Sequence, residues 1–112
     1  YAAGELKHGP FALLGSKTPV VAIVVKDNTY EAMLTNIKEV KARHSPVIAV
    51  VGEEDDTIEE LVDSVITVPQ VDPIFSPVVN TVALQLLAYY TAQKRGCPID
   101  FPRNLAKSVT VE

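Results

Sequence analysis

The strongest constraint on the fold of this chain is a pair of short, continuous apolar runs at residues 19–25 and 46–52, each opened by a proline. Both runs consist mainly of valine, isoleucine and alanine, and the β-branched residues among them favour strands. A strand that is apolar along its whole length, without alternation, is buried on both faces, and such strands are typical of parallel sheets. The chain is therefore predicted to fold around a parallel sheet.

The segment between the two predicted strands has the apolar spacing of an amphipathic helix over residues 28–44. Asn28, followed by Glu31 three residues later, is interpreted as the helix N-cap. Strand, helix and strand together then form one β-α-β unit.

The second half of the chain repeats this order. It predicts a short helix around residues 58–62, a third strand at 64–68, and a long helix that ends near Arg95. The apolar stretch at residues 74–92 is interrupted by polar residues, so it is interpreted as a buried core helix and not as a membrane span. The fold class is therefore α/β, with a three-layer α/β/α arrangement.

Three strands are fewer than a complete doubly wound sheet usually has. We therefore expect the sheet to be incomplete on its N-terminal side, with further strands before Tyr1, and the chain to be the C-terminal piece of a longer protein.

The acidic run at residues 53–56 has two interpretations. Paired carboxylates can bind Mg²⁺ or Ca²⁺. Here the run lies between a strand end and a helix for which Asp56 is a suitable N-cap and Glu59 the matching third residue, so we favour a solvated loop at a helix N-terminus. No metal or organic cofactor is expected.

Composition excludes several classes of partner. The 112 residues carry a net charge of −4 without a cluster of Lys and Arg, which argues against nucleic acid and against an anionic membrane surface. Cys97 is the only cysteine, so an intrachain disulfide is impossible, and this suits the reducing cytoplasm.

The main candidate functional residue near the N-terminus is His8, which lies in the motif Gly-Glu-Leu-Lys-His-Gly-Pro at residues 4–10. Because Gly9 and Pro10 break regular structure, His8 is expected on a sharp bend and not on a helix face. An imidazole that titrates near neutral pH can take and return a hydroxyl proton. A lone loop histidine is more often structural or merely exposed, so this motif alone leaves both interpretations open.

The C-terminal tail, residues 102–112, places Lys107 among apolar and hydroxyl-bearing residues. A lysine so close to a chain end is usually solvated. The apolar tail residues argue against that here, and Lys107 then has two possible roles. Its ammonium group can hold sugar oxygens, or a desolvated neutral amine can form a Schiff base with a ketone.

These two motifs, in this order and with α/β sequence between them, resemble the sugar isomerase (SIS) domain of the glutamine:fructose-6-phosphate aminotransferase family. The resemblance implies a flavodoxin-like subdomain whose C-terminal part is residues 1–96, followed by an active-site tail at residues 97–112. It implies that His8 opens the sugar ring in the active site of the neighbouring subunit of a homodimer. It also implies that Ala106 and Lys107 contact the open-chain sugar phosphate.

The same resemblance implies conversion of fructose 6-phosphate and glutamine to glucosamine 6-phosphate and glutamate, with ammonia supplied by an N-terminal glutaminase domain of the same parent chain. In that family the glutamate that moves the proton between C1 and C2, and the phosphate-binding loops, lie upstream of the region that begins at Tyr1. Two alternatives remain: a glutamine-independent sugar-phosphate deglycase or isomerase, and a non-catalytic phosphosugar-binding domain.

Overall fold

A computed structural model describes residues 1–53 and 55–106 of the chain. Three strands alternate with three α-helices in these residues, and short 3-10 helices precede the first strand and the last helix. The strands are β1 (Val20–Val24), β2 (Val47–Gly52) and β3 (Ser64–Val68); the α-helices are α1 (Tyr30–Lys41), α2 (Asp56–Glu59) and α3 (Ser76–Lys94); the 3-10 helices are Ala3–His8, Pro10–Leu13 and Pro73–Phe75.

The three strands form one parallel sheet in the order β1-β2-β3. Val20 pairs with Val47, and Ala49 pairs with Val65, so both neighbours of β2 are aligned in register over five residues. The parallel sheet predicted from the two apolar runs is confirmed.

Helices cover both faces of this sheet, which confirms the three-layer α/β arrangement. One face packs against α1 and α2, and the core between the sheet and these helices includes the buried side chains Ile37, Val40, Val47, Ala49, Val51 and Ile58. The other face packs against α3 through a smaller cluster of Val50, Val68 and Ala83. Alternate residues of β2 therefore point to opposite layers, as strand geometry requires.

The predicted N-cap of the first helix is wrong. Helix α1 begins at Tyr30, with Thr29 and not Asn28 at the cap position. The Asp27 carboxylate accepts hydrogen bonds from the Thr29 N–H at 2.7 Å and from the Thr29 hydroxyl at 2.6 Å. A local turn made by an aspartate two residues upstream therefore determines where the helix starts.

Two burial predictions are also wrong for the described residues. Strand β1 is an edge of the sheet, and its Val21 and Ile23 side chains remain 39% and 38% exposed on the face away from α1. Helix α3 buries only Asn80 and Ala83, although it was expected to be a core helix. Both results have the same physical reason: no further strand or helix of the described residues covers these surfaces.

Helix α3 carries several exposed apolar side chains, among them Val78, Val82, Leu86 and Tyr90. Between α3 and β3 lies an apolar groove of about 530 Å³.

Within residues 1–53 and 55–106, no helix combines the length and the apolar character that crossing a membrane needs.

Candidate functional site

His8 is the last residue of the 3-10 helix Ala3–His8. The prediction that it lies on a bend and not in a helix is therefore wrong by one residue. The bend follows at Gly9, whose φ of 148° belongs to the region that favours glycine, and Pro10 opens the next 3-10 helix. Two short helical turns thus meet at Gly9, and the imidazole projects from the junction.

The His8 side chain is not part of the packed core. It is 64% exposed, and its Nε2 lies 4.0 Å from Glu5 Oε2, which is itself 68% exposed. An exposed contact at this distance contributes little stabilisation. The position of the imidazole is therefore determined mainly by the backbone that carries it.

That backbone belongs to a stretch we call the N-terminal segment, residues 3–18. Its partly buried apolar side chains pack against the α1 side of the core; these are Leu6, Phe11 and Leu14. The residues that follow α1 supply two further contacts. The Arg43 guanidinium carbon lies 3.6 Å from the centre of the Phe11 ring, and the buried Ser45 hydroxyl accepts a hydrogen bond from the Gly15 N–H at 2.9 Å.

The C-terminal tail is described as far as Ala106, which is exposed. The Leu105 N–H donates to the Pro102 carbonyl at 3.2 Å, and Asn104 has a φ of 65°, so the tail makes a tight turn here. Lys107, the second candidate catalytic residue, lies outside the described residues. Within the described part of the chain, no hydrogen bond or ion pair joins Ala106 to the segment that carries His8.

The chain matches the SIS domain family over residues 1–95. It belongs to the SIS domain family. Over all 112 residues it is 62% identical to the glutamine–fructose-6-phosphate aminotransferase (isomerizing) of Methanosarcina acetivorans and 61% identical to that of Methanosarcina mazei. In each comparison the chain spans 18% of the relative's length.

A solved structure agrees with this membership. The C-terminal domain of glucosamine-fructose-6-phosphate aminotransferase from Francisella tularensis matches 91% of this chain with a TM-score of 0.79 and 37% identity, and the match covers 29% of that chain. The SIS domain fold recognised from the two motifs is therefore confirmed by sequence and by structure.

Sequence reasoning missed a polar cluster at the carboxyl edge of this SIS domain sheet. The acidic run is not a solvated loop at Asp55, whose side chain is only 2% exposed. The Tyr30 hydroxyl donates to Asp55 Oδ1 at 2.8 Å, and Lys26 Nζ lies 3.8 Å from the same oxygen. Asp55, and not Asp56, stands at the cap position of α2, and its side chain makes no capping bond there.

The cluster changes the acidity of Tyr30. Burial, together with the hydrogen bond to the neighbouring carboxylate, raises the pKa of Tyr30 to about 12. The hydroxyl therefore remains a donor at neutral pH. Tyr30 and Asp55 are 25 residues apart in the chain, so no local sequence motif could indicate that they pair.

Two other features have been considered as candidate sites, a metal-binding group and Cys97. Among the described residues, no group of three His, Cys, Asp or Glu is placed to hold a metal ion. Cys97 is a free, exposed thiol.

Proposed function

We propose that this chain is the C-terminal part of the isomerase domain of an enzyme that converts fructose 6-phosphate and glutamine to glucosamine 6-phosphate and glutamate, in the cytoplasm. The observation that carries the proposal is the 62% identity, over all 112 residues, to a protein that bears the name of this activity. The compared region includes both motifs from which the family was recognised.

His8 is proposed as the acid/base residue that opens the sugar ring. Fructose 6-phosphate is cyclic, and opening its hemiketal requires removal of the anomeric hydroxyl proton and delivery of a proton to the ring oxygen. A histidine can do both in sequence. The 64% exposure of the His8 side chain supports this role, because an imidazole that serves another subunit must project from its own surface. In the proposed homodimer, His8 contributes to the partner's active site.

Residues 97–112 are proposed as an active-site tail that follows the SIS unit at residues 1–96. Ala106 would contact the open-chain sugar phosphate through its backbone, and Lys107 through its side chain. Lys107 either holds sugar oxygens as an ammonium group or forms a Schiff base with the C2 ketone. Borohydride treatment of the complete enzyme with fructose 6-phosphate separates these roles, because only an imine leaves a reduced hexose phosphate attached to the Lys107 peptide.

The rest of the reaction belongs to other parts of the proposed parent protein. An N-terminal glutaminase domain would release ammonia, which condenses with the C2 carbonyl. A proton shift between C1 and C2 then gives the aldose. The electrophile is the carbonyl group of the sugar, and the residues of this chain bind the open form, through an ionic contact or an imine at Lys107, and exchange protons with it.

The test compares the complete protein with its His8→Asn variant, by following glucosamine 6-phosphate formation from fructose 6-phosphate and glutamine. Asparagine keeps a polar side chain but cannot exchange protons near neutral pH, so kcat is expected to fall at least about 100-fold. His44→Asn is the matched control: His44 is exposed and has a φ of 62°, which asparagine tolerates. It should keep wild-type turnover.

Each alternative function predicts a different result. A glutamine-independent deglycase or isomerase would turn over sugar phosphate at the same rate with or without glutamine. A phosphosugar-binding domain would bind glucosamine 6-phosphate without turnover, and His8→Asn would leave that binding intact. Unchanged turnover in His8→Asn would refute the catalytic role of His8.

A further inference from the structure

We propose that Arg43 and Ser45, which lie in the turn and connection that follow α1, are positioning residues for His8. This inference rests on the proposed function, in which His8 opens the sugar ring. Its physical basis is that the His8 side chain has no packed surroundings of its own, so its location depends on how firmly the N-terminal segment is held.

Arg43 holds the middle of that segment. Its guanidinium carbon lies 3.6 Å from the centre of the Phe11 ring, which is close enough for a cation–π contact. The guanidinium is itself fixed, because Arg43 Nη1 donates to the Glu39 carbonyl at 2.6 Å. Phe11 is thereby confined between the guanidinium on its face and the apolar core that it contacts.

Ser45 holds the end of the segment. Its side chain is buried, with 1% of the residue exposed. The hydroxyl oxygen accepts from the Gly15 N–H at 2.9 Å, and the hydroxyl donates to the Gly15 carbonyl at 3.2 Å. The same Gly15 carbonyl accepts from the Thr18 N–H at 2.9 Å, which closes the turn into β1. One buried side chain therefore satisfies both backbone groups of Gly15.

These contacts are transmitted to His8 through a short, hydrogen-bonded backbone. The Ala12 N–H donates to the Gly9 carbonyl at 2.9 Å, and the Leu14 N–H donates to the Phe11 carbonyl at 3.2 Å. From Gly9 to Gly15 the segment thus consists of linked tight turns, and His8 directly precedes it. Displacement of Phe11 or Gly15 would therefore displace the imidazole.

The test uses the complete enzyme with Arg43→Gln and Ser45→Ala, each made in the wild-type and in the His8→Asn background. Arg43 is exposed, so Arg43→Gln should fold normally even if Ser45→Ala does not. Loss of the cation–π contact should lower kcat for glucosamine 6-phosphate formation by about two- to fivefold, and Ser45→Ala should lower it by about fivefold or more. The KM for fructose 6-phosphate should change less than twofold, since neither residue is proposed to touch substrate.

Two controls separate positioning from general damage. Arg43→Lys retains a cation over the ring and should recover most of the activity, and Arg95→Gln, at an exposed arginine after α3, should have none of the effect. In the His8→Asn background, Arg43→Gln and Ser45→Ala should cause no further loss, because the group they position is gone.

The inference is overturned if Arg43→Gln leaves kcat unchanged, or if its effect persists undiminished in the His8→Asn background. If His8→Asn alone keeps wild-type turnover, the role of His8 fails first, and any effect of Arg43→Gln is then structural. These outcomes distinguish a failure of the positioning role from a failure of the proposed function.

Discussion

Replacement of Tyr30 by phenylalanine removes the hydroxyl that donates to Asp55 at 2.8 Å and leaves the rest of the ring in place. The acceptor is a carboxylate whose side chain is only 2% exposed, so water cannot replace the lost donor without local opening. A hydrogen bond to a charged group contributes about 1.5–3 kcal/mol. Lys26, at 3.8 Å from the same oxygen, compensates in part, and we therefore expect a cost near the lower end of this range.

The assay is native-state hydrogen exchange of the complete protein, which reports local opening without requiring two-state unfolding. Peptides that contain the start of α1 and those that contain α2 should exchange about 10-fold faster in Tyr30→Phe, the rate equivalent of about 1.4 kcal/mol. Tyr90→Phe is the matched control, because Tyr90 is 60% exposed and lies on the opposite layer. Exchange that changes no more in Tyr30→Phe than in Tyr90→Phe would refute the stabilising role of the buried pair.

Three further predictions follow from single contacts, and a fourth follows from the exposed surfaces of the chain. The pKa of Tyr30 is raised from 10.0 to about 12, so the folded state keeps the hydroxyl proton to higher pH than the unfolded state does. The free energy of unfolding should therefore decline between about pH 10 and 12. Alkaline unfolding curves of Tyr30→Phe should lack this decline. The pKa of Asp63 is lowered from 3.8, mainly by its side-chain hydrogen bond with Lys41. The ionised carboxylate therefore stabilises the folded state above pH 3.8, and this stabilisation is lost as the pH falls below that value. Acid unfolding of Asp63→Asn should show a weaker pH dependence. A methyl group at Gly52 would collide with the exposed Gln70 side chain, so the melting temperature of Gly52→Ala should fall slightly and recover when Gln70→Ala is added. The isolated 112-residue chain should neither unfold cooperatively nor form product, because the described residues leave its edge strand and the outer face of α3 uncovered; a sharp calorimetric transition together with turnover would contradict this.

Much of the fold could be predicted because its strongest signals are local in sequence. The run at residues 46–52 forms β2, the central strand, which is buried on both faces as its composition predicts. The third strand has the bounds read from the sequence, residues 64–68. In both segments burial and β-propensity favour the same structure, so tertiary packing did not override them.

The errors occurred where the outcome depends on distant residues. Composition gives β1 the same pattern as β2, but β1 is an edge of the described sheet and one of its faces remains exposed. Whether an apolar strand is covered depends on its neighbours and not on its own residues. The same reason explains why helix α3 is apolar and yet exposed.

The candidate site shows the same contrast between features that are local in sequence and contacts between distant residues. His8 could be found because its motif is contiguous. The contacts that hold its segment join Phe11 to Arg43 and Gly15 to Ser45, across about 30 residues, and no local pattern indicates them. Pairs of this kind become visible only when the fold places the residues that follow α1 beside the N-terminal segment.

The most direct test of the central claim is the activity of hybrid dimers formed from His8→Asn subunits and Lys107→Ala subunits, co-expressed with two different affinity tags. Each homodimer should be inactive. If His8 serves the partner's site and Lys107 its own, every hybrid contains one active site with both residues intact, and glucosamine 6-phosphate formation should return. Hybrid dimers that remain as inactive as either parent would contradict a shared site built from His8 of one subunit and Lys107 of the other.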